Sequence, residues 1–175
     1  MGALDDWPWT CGCCGEERRG VPDLGFRRPD AVVARGADAV LHDEGDDICD
    51  LEEGGRRRLF LRAVLLVPLP GLDHDFGYGP WVELSRADLV RILCAMRDGE
   101  EAALGSIPCR LASALPGFEG TLGLDAALDV QPGGGRPLVD ARAGDHPLGA
   151  EQAAGWSEAR LVEVLSAALP CRGRG

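Results

Sequence analysis

Lysine is missing from this chain of 175 residues: all 18 basic side chains are arginine, set against 29 carboxylates for a net charge of −11. The all-arginine set reads as a GC-rich coding background rather than a functional signal. The negative balance, with a pI near 4.6, makes the chain a poor match for phosphate backbones or anionic lipid. Nucleic acid and membrane surfaces are therefore set aside, and a basic protein partner is favoured. No window approaches the roughly 20 apolar residues of a membrane span. The start, Met1-Gly-Ala-Leu-Asp-Asp, has neither the basic nor the apolar region of a secretory signal, so the expected location is the cytoplasm. Also missing are G-x-S-x-G, H-E-x-x-H, a Walker loop and a dinucleotide fingerprint, which leans the reading away from an enzyme. The triple glycine at 133–135 is followed by no Lys-Ser/Thr and by no helix, so it is not a phosphate loop.

What is present begins with residues 56–70, three arginines followed by an apolar run bounded by Gly54-Gly55 and Pro70-Gly71. Its length, its branched residues and the closing Pro68 and Pro70 predict a buried strand over 57–69 at the centre of a sheet. Residues 72–79 read as a turn-rich connection, and Trp81-Val82-Glu83-Leu84 alternates as a second, antiparallel strand. Ser85 and Asp88 form a capping signal for a helix over 86–98. A shorter helix is expected within 106–116, carrying Leu111 and Leu115. Strands near 121–130 and 138–141 bracket a glycine-rich hairpin turn. Asp145 caps a short helix that tolerates Pro147 in its first turn and ends at Gly155, and Ser157 caps a last helix over 157–169. The fold class predicted is α+β: a single domain with a mainly antiparallel sheet packed by two or three helices. Residues 1–55 form an irregular cysteine-containing arm of that domain, 56–170 its core and 171–175 a disordered tail. Within the arm, the seven carboxylates of 43–53 read as a solvated acidic loop pinned by Ile48-Cys49, since EF-hand spacing is lacking.

Seven cysteines, scattered and odd in number, do not suggest a disulfide framework. Cys11 and Cys14 have the C-x-x-C-G form of a zinc knuckle, half of a tetrahedral site. With no second such pair, Cys49 is the candidate third ligand and His42 or an aspartate the fourth. The alternatives are a tight cysteine-bearing turn beneath Trp7 and Trp9, or a redox pair. His146, with Asp145 beside it, is the candidate for proton chemistry, against a histidine that merely orders a helix start. Arg62 and Arg136 are candidate anion clamps. Together with Trp81 and Gln152 they are the candidate residues for binding a partner or ligand.

The run of motifs is also specific in combination. Cys11-x-x-Cys14-Gly15, Asp47-Ile48-Cys49, Phe60-Leu61-Arg62, Gly79-Pro80-Trp81-Val82-Glu83-Leu84-Ser85, Leu115-Pro116-Gly117-Phe118, and Asp145-His146-Pro147-Leu148 with Glu151-Gln152 resemble a bacterial family, domain of unknown function 2199. The resemblance covers nearly the whole chain and brings no activity with it. It implies a histidine shortly after the C-x-x-C-G as a further metal ligand, where this chain has Glu16-Glu17-Arg18-Arg19. Three functions follow as expectations: a non-enzymatic protein that binds a partner through an acidic surface, a small zinc module, or an enzyme using His146 and Asp145.

Overall fold

The computed structural model describes residues 4–36, 41–44, 46–143 and 145–171, with backbone only at 41–44 and 143. In chain order the elements are β1 (Pro8–Thr10), β2 (Glu17–Arg19), β3 (Leu24–Gly25), α1 (Asp30–Arg35), β4 (Leu41–Glu44), β5 (Ile48–Glu53), β6 (Arg56–Arg62), β7 (Leu65–Leu69), β8 (His74–Gly79), β9 (Trp81–Leu84), α2 (Arg86–Asp98), β10 (Ser106–Leu111), β11 (Asp125–Asp129), β12 (Leu138–Asp140), α3 (Pro147–Ala154) and α4 (Glu158–Ala168). The α+β class is as expected. The main sheet has the order β12-β11-β10-β9-β6-β5-β4, antiparallel throughout.

The arginine-led segment lies at the heart of this architecture, but as two strands. A single strand over 57–69 would reach about 43 Å, longer than strands of small domains usually run. At Ala63-Val64 the chain leaves the main sheet: Ala63 N–H donates to the Pro80 carbonyl and Val64 N–H to the Pro137 carbonyl, both at 2.9 Å. β7 then pairs with β8 in a second sheet, and β3 adds to β8 in parallel. The connection expected over 72–79 is thus mostly strand. The turn is confined to 70–73, where Asp73 takes a positive φ of 51°.

Residues 106–111 correct the helix expected within 106–116. Ile107, Cys109 and Leu111 are buried while Ser106, Pro108 and Arg110 are exposed, a period of two. The four-residue spacing of Leu111 and Leu115 arises across a strand end and a turn, where Leu115 N–H donates to Thr121 Oγ1 at 2.8 Å. β11 is likewise shorter than the expected 121–130. The acidic segment 43–53 lies largely in the β4 and β5 hairpin rather than a solvated loop, with Cys49, Asp50 and Leu51 buried. Carboxylates masked the alternation, and the ion pair of Asp50 with Arg57 accounts for one of them on a buried strand.

Alternation along the main sheet divides the core. Phe60, Trp81, Cys49 and Leu51 form one buried cluster with Val32 of α1. Their neighbours Leu61, Val82 and Leu84 face the other way and join Leu89 and Ile92 of α2. That larger cluster continues through Leu65, Val67, Phe76 and Tyr78 of the second sheet to Leu161, Val164 and Leu165 of α4. Ser85 caps α2 and Ser157 caps α4, as their sequence positions predict. Among the described residues no helix is long and apolar enough to cross a membrane.

Candidate functional site

The C-x-x-C-G segment is the loop between β1 and β2, which pair antiparallel from Pro8 with Arg19 to Thr10 with Glu17. Two backbone bonds shape it: Cys11 N–H to the Glu16 carbonyl at 2.9 Å and Gly15 N–H to the Cys11 carbonyl at 2.8 Å. Gly15 sits at φ 72°, a left-handed position that a side chain would strain. Trp9 is buried below the loop with Nε1 donating to the Gly20 carbonyl.

Two contacts then bring the far end of the chain to this loop. Gly12 N–H donates to Ser166 Oγ of α4 at 2.8 Å. The Arg18 guanidinium, 5.4 Å above the Trp9 ring, donates to the Pro170 carbonyl at 2.8 Å. The next residue is Cys171. Arg18, in the segment where the family resemblance implies a histidine ligand, therefore holds the residue that precedes a cysteine from the other end of the sequence.

The result is a cluster of Cys11, Cys13, Cys14 and Cys171, whose sulphurs all lie within 4.8 Å of one another. Cys13 and Cys171 are joined as a disulfide, with Cα atoms 7.2 Å apart, and Cys11 Sγ is 3.2 Å from Cys13 Sγ. The Cys13 backbone N–H, aimed at Cys11, holds that thiol below its ordinary value against the cost of burial; Cys14 and the Ser166 hydroxyl add to the effect. Around a zinc with bonds of about 2.3 Å, tetrahedral sulphurs stand about 3.8 Å apart. Four sulphurs gathered this closely can hold a metal ion.

Of the ligands expected from the sequence, Cys11 and Cys14 are brought together. Cys49 is not among them: it is buried on β5 against the cluster of Phe60 and Trp81. The side chain of His42 falls outside the described residues. Cys13 was hidden as one of the two spacer positions of the motif. Cys171 carried no signal beyond being a cysteine near a proline, since its partners lie some 160 residues away.

The other candidates make contacts within the protein. His146, not Asp145, caps α3: its Nδ1 accepts from Leu148 N–H at 3.1 Å, and Nε2 donates to the Glu119 carbonyl at 2.8 Å. Both ring nitrogens are engaged by backbone. Arg62 lies over the Trp81 ring, and both side chains donate to the Phe26 carbonyl, at 2.7 and 3.0 Å. Arg136 pairs with Asp47 at 3.0 Å. Gln152 accepts from Ala141 N–H and donates to the Val139 carbonyl, both at 2.8 Å, and reaches the Leu66 carbonyl at 3.3 Å. It borders a cleft of about 240 Å³ that is also lined by Asp75, Asp129, Asp140 and Arg142.

The Leu115-Pro116-Gly117-Phe118 motif is held from three sides: Tyr78 donates to the Pro116 carbonyl, Arg160 to the Gly117 carbonyl and His146 to that of Glu119. Gly117 has φ 87°, and a Cβ there would stand 2.7 Å from Val164 Cγ2. The motif segments are thus drawn together by these hydrogen bonds and by the close packing at Gly117.

A family model described as an uncharacterized protein conserved in bacteria matches residues 10–156. No curated protein and no solved structure matches the chain.

Proposed function

Because the chain belongs to that bacterial family, domain of unknown function 2199, which has no activity to carry over, its own residues must supply the reading, and we propose a zinc-supported module. In the reduced protein Cys11, Cys13, Cys14 and Cys171 bind one zinc as four thiolates. The supporting observation is the convergence of four sulphurs from both ends of the sequence to within 4.8 Å. The 7.2 Å between the Cys13 and Cys171 Cα atoms lies just beyond the usual disulfide range of about 4.4–6.8 Å, and suits cysteines gathered about a common ion. Such a site is closed, with no open coordination position, so its role is to secure the fold. Metal analysis of protein purified reduced and without chelator is expected to give about one zinc per chain. Cobalt substitution should give the strong thiolate charge-transfer absorption of a four-sulphur site. Clearly sub-stoichiometric zinc overturns the reading.

A second reading rests on the cleft beside Gln152. Asp75 and Asp129 line it, while Arg142 is paired with Asp140 at 2.7 Å. With the net charge of −11, this favours a basic side chain of a protein partner, bound without catalysis. An arginine-rich peptide is expected to bind in a salt-sensitive way and to lose affinity when Asp75 and Asp129 become asparagine. Binding that ignores salt or these changes removes the reading.

A further inference from the structure

The same four sulphurs are arranged in two ways that exclude each other. Cys13 and Cys171 share a bond, yet they sit within reach of Cys11 and Cys14 as two members of a four-donor set. A sulphur in a disulfide is no longer a thiolate and is lost as a strong zinc ligand. We propose that the cluster is a redox-operated clasp, in which a hydroperoxide converts the zinc-bound Cys13 and Cys171 thiolates into their disulfide and expels the ion. This rests on the four-thiolate reading above and adds the regulation of that site.

Exposure and proximity assign the parts. Cys13 and Cys14 are both exposed while Cys11 is buried, and of the two exposed sulphurs Cys13 is the one bonded to Cys171, so Cys13 is assigned as the sulphur an oxidant in solution meets. Its thiolate takes the terminal oxygen of the peroxide, the O–O bond breaks, and the alkoxide or hydroxide leaves with a proton as alcohol or water. Cys171 thiolate then attacks Cys13 Sγ, forming the S–S bond and expelling hydroxide, which takes a second proton to become water. Two thiolates, one hydroperoxide and two protons thus give one disulfide, one alcohol and one water, or two waters from hydrogen peroxide itself. Zinc, left with Cys11 and Cys14, dissociates as those thiolates are protonated. A small dithiol reverses the change by exchange at the disulfide.

The rest of the site is suited to repeated opening. Gly12 stays tied to Ser166 of α4, and Arg18 to the Pro170 carbonyl, by hydrogen bonds that use no sulphur. The chain end therefore stays beside the loop when the bond is absent, and Cys171 is on hand to capture the oxidised Cys13 before further oxidation.

The test exposes reduced, zinc-loaded protein to hydrogen peroxide while a chromogenic chelator reports released metal and peptide mapping locates the disulfide. Zinc release should track formation of the bond between Cys13 and Cys171 one for one, and dithiothreitol should restore zinc uptake. In Cys171→Ser, shown folded by circular dichroism, peroxide should carry Cys13 to sulfinic and sulfonic acids, and dithiothreitol should no longer reverse the loss. Zinc taken up by the reduced protein, but retained while that bond forms or released with the bond elsewhere, overturns the clasp alone. A reduced protein that takes up no zinc overturns the four-thiolate reading and the clasp with it.

Discussion

Arg160 grips Glu151 through both carboxylate oxygens, at 2.9 and 3.3 Å, while Trp156 Nε1 donates to the same carboxylate at 2.7 Å. The guanidinium also lies 5.0 Å from the Phe118 ring and 5.8 Å from the Trp156 ring. One arginine thus joins α4 to α3 and to the Pro116-Gly117-Phe118 loop. Arg160→Ala is expected to cost about 2–3 kcal/mol, from a charge-assisted pair and lost packing on two rings. Arg160→Lys should recover less than half, since an ammonium keeps the charge but neither the fork nor the stacking. A double-mutant cycle with Glu151→Gln in chemical denaturation should show coupling of about 1 kcal/mol or more; strictly additive losses would refute the joint role.

Gln152 supplies hydrogen-bond partners to three backbone groups, the Ala141 N–H and the Val139 and Leu66 carbonyls. Gln152→Leu is expected to cost about 3 kcal/mol, because Ala141 N–H and the Val139 carbonyl lose those partners. Gln152→Glu should be worse at neutral pH, with a carboxylate facing two carbonyl oxygens, and should recover toward acid pH as the protonated carboxyl regains a donor. Urea midpoints of both variants between pH 5 and 8 check the contrast.

Burial, with the Asp125 charge adding to it, pushes the Cys109 thiol up to about 12 from an ordinary 9.0. Above pH 9 the unfolded chain sheds this proton while the native protein keeps it, so stability falls as pH rises through that window. The slope from this group alone is about 1.4 kcal/mol per pH unit. Tyr78, raised chiefly by burial, steepens the decline at still higher pH. Denaturation at pH 8 to 11 should therefore show a steep alkaline loss, and Cys109→Ala should flatten it even though that variant is less stable at pH 8. An unchanged slope would contradict the assignment.

The bond between Cys13 and Cys171 spans 158 residues of sequence. Chain-entropy arguments give such a loop up to about 5 kcal/mol relative to the open, metal-free chain. Unfolding in the presence of chelator should show a large drop in midpoint on adding dithiothreitol. Cys171→Ser should start at the lower value and be insensitive to the reductant.

How much of this could be read from the sequence depended on whether a signal was local. The helices over 86–98 and 157–169 were legible because serine caps and an apolar stripe agree, and Ser85 and Ser157 do accept from the backbone N–H three residues on. The strand at 81–84 and the hairpin around 131–137 were legible from other local signals, apolar–polar alternation in the one and glycines between two strand segments in the other. Residues 106–111 were not, because Leu111 and Leu115 mimic a helical step while the true period of two is spread over Ile107, Cys109 and Leu111. Half of the sulphur cluster was visible as Cys11 and Cys14. Cys13 was hidden as a spacer of that motif, and Cys171 depends on Arg18 and Ser166 holding a distant segment beside the loop, a non-local event that no spacing encodes.

The bond between Cys13 and Cys171 closes residues 13–171 into a covalent ring. The exposed glycines at 133–135 offer a place to cut that ring without releasing either piece. Protein nicked at that turn should run as one species until dithiothreitol is added and as two fragments afterwards.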